Sequence, residues 1–161
     1  MPCAGRCLGW CSMGYRSDVS ILIYGDDKDV VAFKAGERVK GYPTGMTHHP
    51  LDEPKSNYHE RFTWHTDDGD TMLEFNWFNI KWYDTYREIA YWEQLRSVWE
   101  DAYGKTSLNM EFARIGENTD DTELEYYGND CQYYLNVERT IYKDLPVKEK
   151  VQNEYLKKYN N

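Results

Sequence analysis

Between residues 85 and 103, Ile89, Trp92, Leu95, Trp99, Ala102 and Tyr103 fall on one side of a helical wheel, and the segments on either side alternate apolar with polar residues. No other pattern constrains the chain as strongly. A helix carrying Trp92 and Trp99 on its apolar stripe has to be buried against another element, and the flanking period-two segments supply a sheet for it to lie on. Thr85 and Glu88 have the spacing of a capping box, so the helix is predicted to start at Asp84 or Thr85, with Gly104 closing it.

The strands follow from the same periodicity. Val19, Ile21 and Ile23 alternate with Ser20, Leu22 and Tyr24, and "GDD" at 25–27 ends that strand in a turn. Within residues 28–40 a short helix is predicted on Val30, Val31, Phe33 and Ala35, stopped near Gly36. A long Pro- and Gly-containing loop, "GYPTGMTHHPLDEPKSNY", comes next. Asp68-Gly69 sits between two β-rich runs and marks a hairpin. After it Leu73, Phe75 and Trp77 share one parity while Phe78 and Ile80 take the other. Either both faces of that strand are covered or a bulge shifts the register near Trp77. Leu108, Met110 and Phe112 define a further strand, "TELEYY" another, and Tyr133, Leu135, Val137 and Ile141 a last one interrupted by Arg139. Past Pro146, Val147, Val151 and Tyr155 are spaced for a short terminal helix in a charged tail.

The predicted fold is therefore α+β: an antiparallel sheet with helices on one face, in a ferredoxin-like layout with an extra β-hairpin. At 161 residues the chain has room for one domain, expected over 13–145, with 1–12 as a disordered extension and 146–161 as the tail. Cys3, Cys7 and Cys11 read C-x3-C-x3-C, which fits neither zinc nor iron–sulfur spacing. No apolar run is long enough for a membrane span, and a cytoplasmic location is expected.

The chain has a net charge of −9, which disfavours duplex nucleic acid and anionic membranes. It leaves open a local pocket for a phosphorylated ligand, or a carboxylate surface offered to a basic groove. Catalytic signatures are missing. There is no G-x-S-x-G, no phosphate-binding glycine loop, no H-E-x-x-H and no paired H-x-[ST]. His48, His49, His59 and His65 read as surface loop residues, and no cofactor or metal is expected.

Two features carry a binding hypothesis. Arg114 and Arg139 interrupt apolar strand stripes, so each must reach either a carboxylate or a ligand. The "NWFNIKWYDTY" segment brings Trp77, Lys81, Trp82 and Tyr83 to the start of the main helix, where they either hold a base and its phosphate or pack the corner. Aromatic residues make up 16% of the chain, more than packing alone requires.

"MGYRSDV" from Met13, "IKWYDTY", "FARIGENTDD" and "YLNVERTIYKD" together resemble a family of small phage-encoded proteins, from Met13 to about Asp144. In that family Met13 is the natural start, which makes residues 1–12 an upstream addition. The resemblance implies a cytoplasmic accessory protein of the infected bacterial cell acting against host defences, and it brings no catalytic residues with it. The expected activity is non-enzymatic: sequestration of a nucleotide-type immune second messenger by a sponge, often a homo-oligomer. Its expected contacts are Tyr15, Arg16, Trp77, Trp82, Tyr83, Arg114 and Arg139. Two alternatives stand beside it. One is an acidic inhibitor of a host defence protein or a nucleic-acid mimic, with a face built from Glu117, Asp120, Asp121, Glu123 and Glu125. The other is a messenger-degrading enzyme. Tyr15 to Asp18 serve either the ligand or the sheet edge.

Overall fold

Strand β1 (Ser17–Gly25) runs through the middle of a six-stranded antiparallel sheet. The computed structural model describes residues 15–35, 59–118, 120–138 and 141–153. The expected N-terminal extension at 1–12, the Pro-rich loop with His48 and His49, and Arg139 lie outside the described residues. Val19, Ile21 and Ile23 of β1 face a helical layer, while Leu22 and Tyr24 face the other way. Both sets are buried because both faces of the sheet are covered.

The remaining elements are α1 (Asp27–Lys34), β2 (Glu60–Thr66), β3 (Thr71–Ile80), α2 (Arg87–Tyr103), β4 (Asn109–Gly116), β5 (Thr122–Tyr127), β6 (Leu135–Val137), β7 (Ile141–Lys143) and β8 (Val147–Asn153). The strand order is β5-β4-β1-β3-β2-β8. Ile21 pairs with Phe75 on one side and Phe112 on the other. Both helices pack on one face, where Val30 and Phe33 of α1 and the stripe from Ile89 to Tyr103 of α2 enclose Ile21, Phe75, Trp77 and Phe112. The fold is α+β, and its first six elements and inner strand order are compatible with the ferredoxin-like layout. On the opposite face the β6–β7 hairpin covers Leu22, Tyr24, Met72 and Ala113.

The register shift near Trp77 is a β-bulge. Val19 pairs with Trp77 and Ser17 with Ile80, so β3 carries one residue more than β1 over this span. Asn79 takes it up with φ 53°, and its backbone N–H donates to Asp18 Oδ1 at 2.8 Å. Trp77 stays wholly inside while Phe78 is 62% exposed. The turn at 67–70 also forms as expected, with Gly69 at φ 93° linking β2 to β3.

Four expectations need correction. Helix α1 ends at Lys34, close to the expected stop near Gly36, but Val31 is exposed rather than in the core. Helix α2 starts at Arg87 with no side-chain cap, because Glu88 accepts a 2.7 Å hydrogen bond from His59 Nδ1 instead of closing a capping box. The last predicted strand is broken into β6 and β7, which fold back on each other. The tail forms a strand, not a helix: β8 adds to the outer edge of β2, with Trp64 opposite Lys150 and Thr66 opposite Val147. An i, i+4 spacing such as that of Val147 and Val151 does not by itself separate a helix from a strand. An available edge decided between them.

Candidate functional site

The β4–β5 turn builds one wall of a cleft at the end of the sheet. Gly116 N–H donates to Asp121 O at 2.7 Å and Asp121 N–H to Asn118 O at 3.0 Å, folding the turn so that the Asp121 side chain returns over Gly116. A Cβ at position 116 would meet the Asp121 carboxylate and the Tyr15 hydroxyl, so both side chains would have to shift to admit it. The opposite wall comes from the chain leaving β3, where Trp82 and Tyr83 precede α2. The cleft encloses ≈ 510 Å³ and is lined by Tyr15, Trp82, Tyr83 and Arg114 together with polar groups of the turn. That volume is in the range of small-molecule sites.

Arg114 organises the site. Its Nε donates to Glu123 Oε1 at 2.7 Å, its Nη2 to Asp121 Oδ1 at 2.7 Å, and its Nη1 to both Asp121 Oδ2 and Ser17 Oγ at 3.1 Å. Of the two roles the sequence left open, this is the salt bridge. Burial disfavours the guanidinium charge, but the bonds to Asp121 and Glu123 outweigh it and hold Arg114 more firmly protonated than usual. In return the Arg114 hydrogen bond lowers Asp121 below its ordinary range against the effect of burial. Burial pushes Glu123 up, and Arg114 and Arg96 more than reverse that. The Tyr15 hydroxyl also donates to Asp121, and Tyr83 OH donates to Tyr15 O at 3.3 Å.

Arg96 is the residue the sequence reading missed. From α2 it donates to Glu93, to Glu123 Oε2 at 3.2 Å and to Glu125 Oε1 at 3.1 Å, with its Cζ 3.6 Å from the centre of the Phe112 ring. The signal was present in "TELEYY": Glu123, Glu125 and Tyr127 share one strand face, and if that face meets a helix, a basic residue must answer them.

Four of the expected ligand contacts therefore line one cleft. Arg16 does not, since its exposed side chain turns to Asn79 O at 3.2 Å. Trp77 is fully buried beneath the cleft, with its ring 5.0 Å from that of Trp82 in a T-shaped contact, so it reaches a ligand only through Trp82. The indole N–H groups of Trp77, Trp82, Trp92 and Trp99 are buried with no hydrogen-bond partner among the described residues, which marks this aromatic cluster as packing first. The expected acidic face is partly spent internally, because Asp121, Glu123 and Glu125 hold the two guanidiniums. Glu117 accepts the Arg16 backbone N–H, and Asp120 is exposed. In the cleft lining Glu93, Asp120, Asp121 and Glu123 still outnumber Arg114.

His59 is no surface residue. It is buried, bonded to Glu88 and edge-on to Phe75, whereas His65 is exposed on β2. Among the described residues no group of three His, Cys, Asp or Glu side chains is placed to hold a metal, and no helix is long and apolar enough to cross a membrane. Comparison of the chain with protein families, curated proteins and solved structures found no match.

Proposed function

We propose that this protein is a non-catalytic binding protein that presents an acidic cleft with aromatic walls to a basic group on a partner protein. One observation carries the reading: the cleft lining sets Glu93, Asp120, Asp121 and Glu123 beside Arg114, whose donors Asp121, Glu123 and Ser17 already occupy, so the lining keeps a net negative charge. Carboxylates beside aromatic rings suit a guanidinium or ammonium group, which pairs with the first and stacks on the second. The resemblance of the sequence to phage-encoded proteins makes a host defence protein the expected partner.

Titration calorimetry of the full chain with an arginine-rich peptide tests this. Binding should weaken steeply with salt and should fall about threefold to tenfold in Asp120→Lys, a change at an exposed position. Equal binding by the variant, or no binding at low salt, would discard the proposal.

Capture of a nucleotide messenger is the second reading, favoured by the convergence of Tyr15, Trp82 and Tyr83 on one cleft. It requires Arg114 to exchange Asp121 for a phosphate. Native mass spectrometry with cyclic dinucleotides, cyclic trinucleotides and cyclic ADP-ribose isomers separates the two. An intact nucleotide adduct lost in Trp82→Ala selects capture, and the absence of any adduct leaves the basic partner.

A further inference from the structure

We propose that β5 is a docking edge for an extended segment of a partner protein in which basic residues alternate with apolar ones, added beside it as a further strand. The inference rests on the basic-partner reading above and specifies how that partner is held. Strand β5 ends the sheet: among the described residues it pairs with β4 alone, so its outward N–H and C=O groups have no strand to bond.

The two faces of this edge specify the chemistry of the added strand. On the helix side, Glu123 and Glu125 project at alternate positions; Arg96 bridges them and Glu93, and Arg114 holds Glu123 and Asp121, which leaves four carboxylates against two guanidiniums and this side net negative. A neighbouring strand with Lys or Arg opposite these positions gains cross-strand ion pairs. On the other side, Leu124 packs on the apolar cluster beneath the β6–β7 hairpin, and the Tyr126 ring lies 4.7 Å from that of Tyr133. Tyr133 is 67% exposed and is held at φ 59°, an uncommon conformation for an aromatic residue. It extends an apolar surface beside the edge, where the alternate side chains of an added strand would rest.

A second copy of the chain pairing β5 to β5 would set Glu123 and Glu125 against their own like charges, so this edge resists self-pairing while admitting a basic strand. The mode is strand addition, in which the backbone supplies affinity and the alternating side chains supply selection.

The test uses the full chain and a synthetic peptide of alternating lysine and valine, with amide exchange followed by NMR. Binding should slow exchange of the outward β5 amides about tenfold or more. It should be lost when the peptide backbone is N-methylated at alternate residues, and weakened in Glu125→Lys. Undiminished binding of the N-methylated peptide would overturn strand addition while leaving the acidic-cleft reading intact. Failure of every basic peptide to bind would overturn both. A mass that rises with concentration, with β5 amides already protected in the free chain, would assign the edge to a second copy and overturn the proposal.

Discussion

Arg114 lies side-on to Asp121, with Nη2 2.7 Å from Oδ1 and Nη1 3.1 Å from Oδ2, so the β4–β5 turn is pinned to the strand that leads into it. Both side chains are largely shielded from water. Removing one partner strands the other, so Arg114→Ala should cost about 2–4 kcal/mol, more than an exposed ion pair is worth. Urea denaturation with an unchanged slope would show the loss as a lowered midpoint.

The same contacts set an acid dependence. Asp121 and Glu123 titrate below their ordinary values of 3.8 and 4.5 in the folded chain. Depressed carboxylates stabilise the fold above those values, and that contribution disappears as pH falls through the folded pKa values. Asp70 has the opposite sign. Burial, with Asp68, Asp26 and Asp130 nearby, raises it above 3.8, so its contribution is present in acid and is lost as pH rises through the raised value. Asp70→Asn should therefore raise stability at neutral pH by about 0.5 kcal/mol. The gain should vanish below pH ~4 in paired melting curves.

Gly116→Ala tests the cleft without touching a charge. The new methyl group meets the Asp121 carboxylate and the Tyr15 hydroxyl, so both side chains have to shift, Asp121 away from the position that Arg114 bonds. Stability should fall by about 1–3 kcal/mol, and the amide signals of residues 15–17 and 116–123 should shift in NMR spectra while those of α1 stay in place.

Glu111 is fully buried on the hairpin side of the sheet, where it accepts the Tyr24 hydroxyl and, at 2.9 Å, the backbone N–H of Leu135. Burial first, and then the Glu111 carboxylate, raises the Tyr24 phenol far above its ordinary value. Glu111→Ala leaves both donors without an acceptor and should cost about 2–5 kcal/mol. Hydrogen exchange should show amides 135–143 opening before the rest of the sheet does.

Trp77 and Trp82 touch, yet they should behave differently. Trp77→Ala removes a fully buried ring from the helix–sheet interface and should cost about 3–5 kcal/mol in thermal or urea unfolding. Trp82 is only partly buried at the cleft, so Trp82→Ala should cost less stability and change binding more.

The regular elements were legible because burial writes a period into the sequence. The stripe of α2, the parity of β1 and the Asp68-Gly69 turn each need only local information. What escaped depended on distant partners. Glu88 looks like half of a capping box until His59 arrives from the position just before β2, and the spacing of Val147 and Val151 serves a helix equally well until the edge of β2 is known. At the cleft the sequence identified Arg114 as a residue needing a partner, and it identified the aromatic rings around it. Arg96 stayed hidden because charged residues on helices are ordinarily solvated, and only the pairing of β5 with β4 brings Glu123 and Glu125 beneath it.

The central place of β1 also bears on how the chain assembles. Its neighbours are β3 and β4, so Ile21 meets Phe75 and Phe112, and no hairpin joins β1 to either partner. During synthesis β1 emerges before either partner, so its β3 and β4 pairings wait until residues up to 80, and then up to 116, have been made. The β2–β3 hairpin joins strands adjacent in sequence, whereas β1 has to be brought to β3 and β4 across long loops. Refolding from denaturant is accordingly expected on the slow side for a domain of this size, in about milliseconds to seconds, with the rate set by closure of these long loops.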